Sequence, residues 1–328
     1  MSRFRLDIHK PIKDRFEAIV IGAGPAGLTA ALYLARYGVD VCIVSKDLGG
    51  NMAIAPLVDD YPGIRNIKGS ELTKLFAEHV KSYNVPLYIG TKVISIARED
   101  NMFRITTEDN RNLYSYAIVI AIGLRNKRLG VPGEEKFIGR GVSYCAVCDG
   151  PMFSGRDVAV VGGGNSALLS AIYLSSIAKK VYLIHRRDTF RAFDIYVKQV
   201  KSSRNIELLL NHIVTEIIGD DKVRAIRVKN TVSSEEREID VDGIFIEIGF
   251  ETDREFLESI GLKLDEDGRI VVGPDGRTNI PGIYACGSVT GGPYRYKFDQ
   301  IITAAAEGAI VADAVYKYLI GLKSRGGL

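Results

Sequence analysis

The sequence predicts an α/β protein made of two units of the same architecture, the second inserted into the first. Three observations carry that reading. A strand, glycine turn, helix and strand follow one another twice, with turns beginning at Gly22 and Gly162, 140 residues apart. Each copy shows the apolar periodicity its elements require. The chain has 328 residues, long enough for two substantial cores.

In EAIVIGAGPAGLTAALYLARYGVDVCIVSKD, Ile19, Val20 and Ile21 form a short buried strand. Leu28, Ala31, Leu32 and Ala35 recur at i, i+3, i+4 and i+7, an amphipathic helical stripe. Gly38 marks the helix exit, and Val41, Ile43 and Val44 restart an apolar strand. KVISIARED and FRITTEDN read as short strands joined by a turn, and YAIVIAIG as a buried strand ending at Gly123. In the second copy, DVAVVGGGNSALLSAIYLSSIAKKVYLIHRR, Val158, Val160 and Val161 give the strand. Ala167, Leu168, Ala171 and Ile172 give the helix, and Val181, Leu183 and Ile184 the next strand. KVRAIRVKN and DGIFIEIG add strands, and GIYACGSVT leads into a helix with Ile302, Ala305, Ala306, Ala309 and Ile310 on one face. AIGLRN and EIGF each follow a buried strand and turn at a glycine, so they are the expected crossings. The first domain is therefore discontinuous, at 1–124 and 249–328, and the second occupies 125–248.

Composition narrows the function classes. Apolar residues make up 46% and charged residues 25%, a normal globular balance. A net charge of +3 without a long basic run gives no reason to expect nucleic acid or an anionic membrane as partner. MSRFRLDIHKPIKDRF lacks the apolar stretch of a signal peptide, and no apolar run approaches the ~20 residues of a membrane span. A cytoplasmic protein is expected.

Gly22-Ala23-Gly24-Pro25-Ala26-Gly27 is a G-x-G-x-x-G turn between strand and helix. The first glycine permits the tight turn, the second lets a pyrophosphate approach the backbone, and the third lets helix and strand pack closely. The helix N-terminus then faces phosphate with unpaired N–H groups. Both units thus read as Rossmann-like dinucleotide-binding domains. The acid that usually holds a ribose is expected near Ser45, where only Asp47 is close. The second turn is Gly162-Gly163-Gly164-Asn165-Ser166-Ala167, and the strand after it ends in His185-Arg186-Arg187. Two guanidiniums there suit a 2′-phosphate, with Arg191 as a third contact, which points to NADP. A solvated basic loop is the alternative.

Between the turns lies SYCAVCDGP, with Cys145 and Cys148 two residues apart and Asp149 directly behind. Structural zinc wants four ligands. Cys42 and Cys286 fall inside predicted strands, where they read as small buried hydrophobes, and the four histidines are not spaced as a partner pair. A structural disulfide closing so short a loop restrains little of the unfolded chain. A dithiol that exchanges electrons is the better reading. Asp149 is then a candidate proton donor and acceptor, with turn or helix capping as its alternative role.

These strings, with HRRDTFRA after the second turn and PGIYACGSVT near the end, resemble the low-molecular-weight thioredoxin reductases from about Phe16 to about Leu319. The resemblance implies FAD on Gly22, Gly24, Pro25, Ala26 and Gly27. Gly49, Gly50, Asn51 and Asp60 would lie along the flavin, with Gly123, Gly287, Ser288 and Gln300 completing the pocket. It implies NADPH on Gly162, Gly164, Asn165, Ser166 and Ala167, with His185, Arg186, Arg187 and Arg191 at the 2′-phosphate. Electrons would pass from NADPH through FAD to Cys148, and Cys145 would exchange with thioredoxin or a thioredoxin-like protein while Asp149 manages the proton. It further implies a homodimer, and an inserted domain that rotates about Gly123 and Gly249.

The chain also departs from the family pattern. Asn51 replaces Gln, Asp60 replaces Asn, Leu169-Ser170 replace paired Glu, Ser288 replaces an acid and Asp299 replaces Arg. Asp299 is expected to cap a helix, and Arg295 or Lys297 to supply the missing cation. Two other functions stay open: a flavin disulfide reductase with a different donor such as ferredoxin, and a non-catalytic redox or nucleotide sensor.

Overall fold

A computed structural model describes residues 13–55, 57–292 and 297–326. The chain packs as two compact units. One comprises the described residues up to 53, 70–124 and those from 252 on; the other comprises 54–69 and 125–251.

In the first unit, β1 (Arg15–Ala23) lies between β2 (Val41–Leu48) and β6 (Asn112–Ile120), parallel to both. β3 (Leu87–Ile89) extends the sheet beyond β2, and β17 (Ile283–Ala285) runs parallel to β6. β4 (Val93–Glu99) and β5 (Met102–Thr107) add an antiparallel meander. Parallel strands covered on both faces must be apolar throughout, which is why Ala18 to Ile21 and Ala117 to Ile120 are all buried. One core gathers Ile19 and Ile21, Phe103 and Ile105, Ile118 and Ile120, with Leu257 of α6 (Arg254–Ser259). α2 (Gly69–Lys81) follows the segment between β2 and β3.

α1 (Pro25–Arg36) and α7 (Ile301–Ser324) pack together so closely that a Cβ on Gly308 would lie 2.2 Å from Ala26 O. This approach decides which face of α7 is buried. The buried residues are Ala304, Ala305, Gly308, Val311, Ala312, Ala314, Val315 and Leu319. Of the expected stripe, Ile302 and Ile310 instead face outward, because small residues at 304, 305 and 308 admit α1 and isoleucines do not.

In the second unit, five parallel strands run in the order β11 (Ile206–Leu210), β10 (Lys180–His185), β9 (Asp157–Val161), β15 (Gly243–Ile246), β8 (Val142–Ser143). Side chains alternate across this sheet. Val158, Val160 and Phe245 pack toward α4 (Asn165–Ser175), joined by Val200 of α5 (Asp194–Ser202). Ala159, Val161, Ile244 and Ile246 pack with Ile217 and Val228 of an antiparallel sheet, β12 (His212–Gly219), β13 (Val223–Asn230) and β14 (Glu236–Asp240). The short α3 (Ala146–Asp149) follows β8.

Two boundaries differ from the expected ones. β7 (Arg125–Asn126) pairs antiparallel with β16 (Phe250–Glu251), so the return crossing falls after Glu251 and not at 248/249. Segment 54–69 groups with the second unit, although the sequence reading assigns it to the first. It closes on itself through Val58 N–H to Ile67 O (2.7 Å), Ile67 N–H to Val58 O (3.1 Å) and Gly69 N–H to Ala55 O (3.0 Å).

Candidate active site

In the second unit, β8 delivers Ser143 and Tyr144 to the redox pair. Cys145 and Cys148 are joined as a disulfide with Cα atoms 5.3 Å apart. Cys145 is the N-cap of α3, and its Sγ accepts from Cys148 N–H at 3.3 Å. Asp149 is buried. Its Oδ2 accepts from the Ser143 hydroxyl at 2.6 Å, and the same Ser143 oxygen accepts from Cys145 N–H at 3.0 Å. Asp149 Oδ1 is buried with no partner among the described residues. Burial raises the pKa of Asp149, and the Ser143 bond offsets part of that rise. The carboxyl therefore keeps its proton to higher pH than an exposed aspartate, beside a sulfur pair that needs protons when it opens. Asp149 does not cap α3, since Cys145 holds that place.

Tyr144 is fixed by its own acid. Its hydroxyl donates to Glu134 Oε1 at 2.7 Å, and Glu134, 2% exposed, also accepts from Leu129 N–H (3.1 Å) and Gly130 N–H (2.7 Å). Burial and the adjacent carboxylate raise the Tyr144 pKa.

The second glycine turn shares this unit. A Cβ on Gly162 would lie 2.3 Å from Glu247 O, so the turn can sit against the end of β15 only without a side chain. Gly164 is the N-cap of α4, has no side-chain cap and faces open space. Ser166 is exposed in the first helical turn and Ala167 is buried beneath it. Asn165 Oδ1 accepts from Phe193 N–H at 2.8 Å, and Arg191 N–H donates to Gly163 O at 2.8 Å. The loop carrying Arg186, Arg187 and Arg191 is thus tied to the glycine turn at two points, with Arg186 and Arg191 exposed. His185 has a different role from the expected one. Its ring is buried against Gly163, lies 3.0 Å from Thr189 O through Nε2, and stacks on Phe190 at 5.4 Å between centroids. Burial lowers its pKa, so the ring forms an uncharged floor for the turn.

The first unit carries the other cradle. A Cβ on Gly22 (φ 107°) would meet Ala121 O at 2.4 Å, and one on Gly27 would meet Gly22 O at 1.9 Å. Gly24, the N-cap of α1, has nothing nearer its Cβ position than Gly49 O at 4.0 Å, and Pro25 follows it at the first helical turn. Ala26 is buried, 2.9 Å from where a Gly287 Cβ would stand. Gly49 N–H donates to Ala23 O at 2.8 Å, and Gly50 N–H to Asp47 Oδ1 at 3.1 Å. Asn51 Nδ2 donates to Leu124 O at 3.1 Å, just beyond Gly123. Ser45, standing where a ribose acid is expected, accepts from Ala23 N–H at 3.1 Å, so it supports the turn.

At the far end of this cradle, Gly287 N–H donates to Glu307 Oε2 at 2.7 Å beside part-buried Ser288. Lys297 is ion-paired to the same Glu307 and donates to Thr290 Oγ1 at 3.3 Å. Arg295, the other expected cation, lies outside the described residues. Asp299 does not cap α7; Gln300 is its N-cap and donates its N–H to Thr303 Oγ1 at 3.1 Å. Asp299 is instead paired with Arg269 at 2.8 Å, and its Oδ1 is buried without a partner among the described residues. Asp60 is exposed on segment 54–69, which groups with the second unit.

Both cradles fit a dinucleotide. Each long helix begins at a glycine with no side-chain cap, so its first N–H groups face the open space that a pyrophosphate would fill. Cys42 and Cys286 are buried, with thiol pKa values raised by burial, and take no part. Sequence reasoning missed Ser143, Glu134, Glu247, Arg269 and Glu307. Only Ser143, two residues before Cys145, stood within a motif that could have signalled it.

Residues 16–308 match the family model described as pyridine nucleotide-disulphide oxidoreductase. The thioredoxin reductase of Listeria innocua is 38% identical over 310 residues, covering 94% of this chain and 95% of that protein. An alkyl hydroperoxide reductase polypeptide of Staphylococcus epidermidis is 33% identical over 308 residues, 94% of this chain, but the chain spans only 60% of that protein's length. The crystal structure of thioredoxin reductase from Streptococcus pyogenes superposes with a TM-score of 0.86 at 36% identity, covering 94% of this chain and 100% of that one. Two glycine cradles, a disulfide between them in sequence and a match over nearly the whole chain lead to one assignment: the chain belongs to the pyridine nucleotide-disulphide oxidoreductase family.

Proposed function

We propose that the protein is an NADPH-dependent flavoprotein that reduces the disulfide of thioredoxin or a thioredoxin-like protein. The observation that carries this reading is the Cys145–Cys148 disulfide beside the buried Ser143–Asp149 pair, in the unit whose second turn bears the arginine loop. The 38% and 36% identities to thioredoxin reductases support the choice of partner.

Gly22, Gly24 and Gly27 would hold the FAD pyrophosphate, with Gly49, Gly50, Asn51, Gly123, Gly287, Ser288 and Gln300 along the remainder. Gly162, Gly164, Asn165 and Ser166 would hold NADPH, with Arg186, Arg187 and Arg191 on its 2′-phosphate. Bound FAD supplies the two-electron chemistry between NADPH and the disulfide. The chain's own residues manage the sulfurs. Asp149 holds a proton for the thiolate that leaves when the disulfide opens, and Ser143 fixes that carboxyl to the backbone of Cys145. Cys145 then attacks the partner's disulfide and Cys148 resolves the mixed disulfide.

Cytoplasmic residence and homodimeric assembly belong to the same proposal. Ile302 and Ile310 on α7, with Tyr33 on α1, leave apolar surface exposed that a second copy would cover. Among the described residues no helix is long and apolar enough to cross a membrane.

Anaerobic titration of the FAD-loaded protein with NADPH tests the reading. Flavin absorbance bleaches, and thioredoxin turnover follows and is lost in Cys148→Ser. Flavin that no donor bleaches, or a thioredoxin disulfide that stays oxidised, overturns it and leaves a sensor role. One observation favours a second reading: Leu169, exposed, and Ser170 provide no acid on the nucleotide helix. Flavin that ignores NADPH yet bleaches with a low-potential donor such as reduced ferredoxin would establish that alternative.

A further inference from the structure

Ala146 lies inside the C-x-x-C segment, and its backbone N–H lies near enough to the carboxylate of Glu247 to hold that group's pKa down. The same carboxylate accepts from the Ser170 hydroxyl of α4 at 2.9 Å. Glu247 itself is rigidly placed. It directly follows β15, its N–H donates to Val161 O at 2.8 Å, and its carbonyl fills the space where a Gly162 Cβ would stand. One residue thus meets the nucleotide turn through its backbone and the nucleotide helix through its side chain, with the redox segment alongside. A helix of one turn cannot hold its own geometry in water. α3 must be held from outside. Ser143 and Asp149 fix one side of it. Gly150 fixes its exit, since a Cβ there would meet Tyr173 at 2.9 Å and Leu174 at 3.0 Å on α4.

We propose that Glu247 is the positioning residue that sets the Cys145–Cys148 segment on α4, its carboxylate reaching from strand β15 to the place Ser170 leaves without an acid. The carboxylate is part-buried, and burial pushes its pKa up to about 7 although the Ser170 hydroxyl and the Ala146 backbone pull it back, so above neutrality it carries its charge next to the segment that holds the sulfurs. Of the elements packed around it, α3 carries one acid, Asp149, and α4 one ionisable group, Tyr173. A negative charge beside the pair disfavours the dithiol, whose thiols ionise, relative to the uncharged disulfide. The inference deepens the reductase reading and rests on it for its purpose, though its measurement does not need turnover.

The FAD-loaded protein is equilibrated at pH 8 with glutathione buffers, in which protein disulfide plus two glutathione thiols gives protein dithiol plus glutathione disulfide. Protein thiols are then counted by alkylation and mass. Glu247→Gln, which keeps shape and removes charge, shifts the equilibrium threefold to tenfold toward dithiol, about 14–30 mV. Glu247→Ala shifts it in the same direction and slows thioredoxin turnover about tenfold. The Glu247→Ala/Ser170→Glu double variant, with the carboxylate moved to the helix, returns the equilibrium to within twofold of wild type. Equilibria unchanged in both single variants, even with lowered melting temperatures, overturn the proposal and leave Glu247 a purely structural residue. Should Glu247→Ala fail to fold, Glu247→Gln alone decides. Wild-type protein that does not turn over thioredoxin defeats the reductase reading without touching this equilibrium.

Discussion

Gly24→Ala separates binding from folding. Gly24 has φ −75° and ψ −178°, an extended conformation that alanine adopts without strain. Its Cβ would meet nothing nearer than Gly49 O at 4.0 Å, so the protein without FAD should lose no more than about 1 kcal/mol, the scale of an N-cap change. The added methyl would stand in the open cradle over the first N–H groups of α1. A pyrophosphate lifted off two of them forfeits two charge-assisted hydrogen bonds of about 1.5–2 kcal/mol each, which is about 3–4 kcal/mol and two to three powers of ten in FAD affinity. Gly27→Ala does the reverse. Its Cβ would lie 1.9 Å from Gly22 O and 3.2 Å from Val20 Cγ1, so α1 must move off β1, at a cost of about 3 kcal/mol or more. Flavin fluorescence during FAD titration gives the affinity, and thermal melting without FAD gives the stability. A Gly24→Ala protein that binds FAD within threefold of wild type, or melts as low as Gly27→Ala, refutes the assignment of this space to a phosphate.

Turnover with thioredoxin should fall as pH rises through the raised pKa of Asp149, because the proton for the leaving thiolate is lost there; Asp149→Asn should lower turnover by about 10² and abolish that limb, while NADPH still bleaches the flavin, as stopped-flow absorbance would show. Ser143→Ala removes the bond that holds the Asp149 pKa down, so the same limb should move to higher pH; a limb that moves to lower pH contradicts the assignment of the proton to Asp149. The Arg186→Ala/Arg187→Ala double variant should raise KM for NADPH about 10- to 100-fold and leave the weaker NADH reaction within twofold, since the lost bonds go only to the 2′-phosphate; equal losses with both donors would refute that role.

The parts legible in the sequence are those in which one local pattern has one physical cause. Gly22 and Gly162 stand between an apolar strand and an amphipathic helix, and both fold as tight turns that no side chain could fit. Cys145 and Cys148 are close enough along the chain to be joined without help from the rest of the fold. Where two causes compete, the pattern misleads. An apolar stripe on α7 predicts one buried face, yet Gly308 and the alanines beside it let α1 approach on another. His185 sits where a nucleotide contact is expected, but the missing side chain at Gly163 leaves a space that its ring fills.

The family's missing side chains illustrate a limit of another kind. Ser288 removes an acid near the Gly287 turn, but Glu307, twenty residues on, accepts from the Gly287 N–H and is itself paired with Lys297. Asp299 reverses a charge, and Arg269, thirty residues earlier, pairs with it. Ser170 removes an acid from α4, and Glu247, 77 residues on, supplies one to the same hydroxyl. In each case the substituted position is visible in the chain and its partner is not, because a buried or part-buried charge is answered across space and at no fixed spacing. The three pairs therefore make a common claim. Breaking one partner should cost more than exchanging both, since the single change leaves a charge or a donor unanswered and the exchange does not. For Arg269 and Asp299, each single alanine variant should melt lower than the double variant Arg269→Leu/Asp299→Leu. Single variants that melt above the double variant would show that the pair is incidental to the fold.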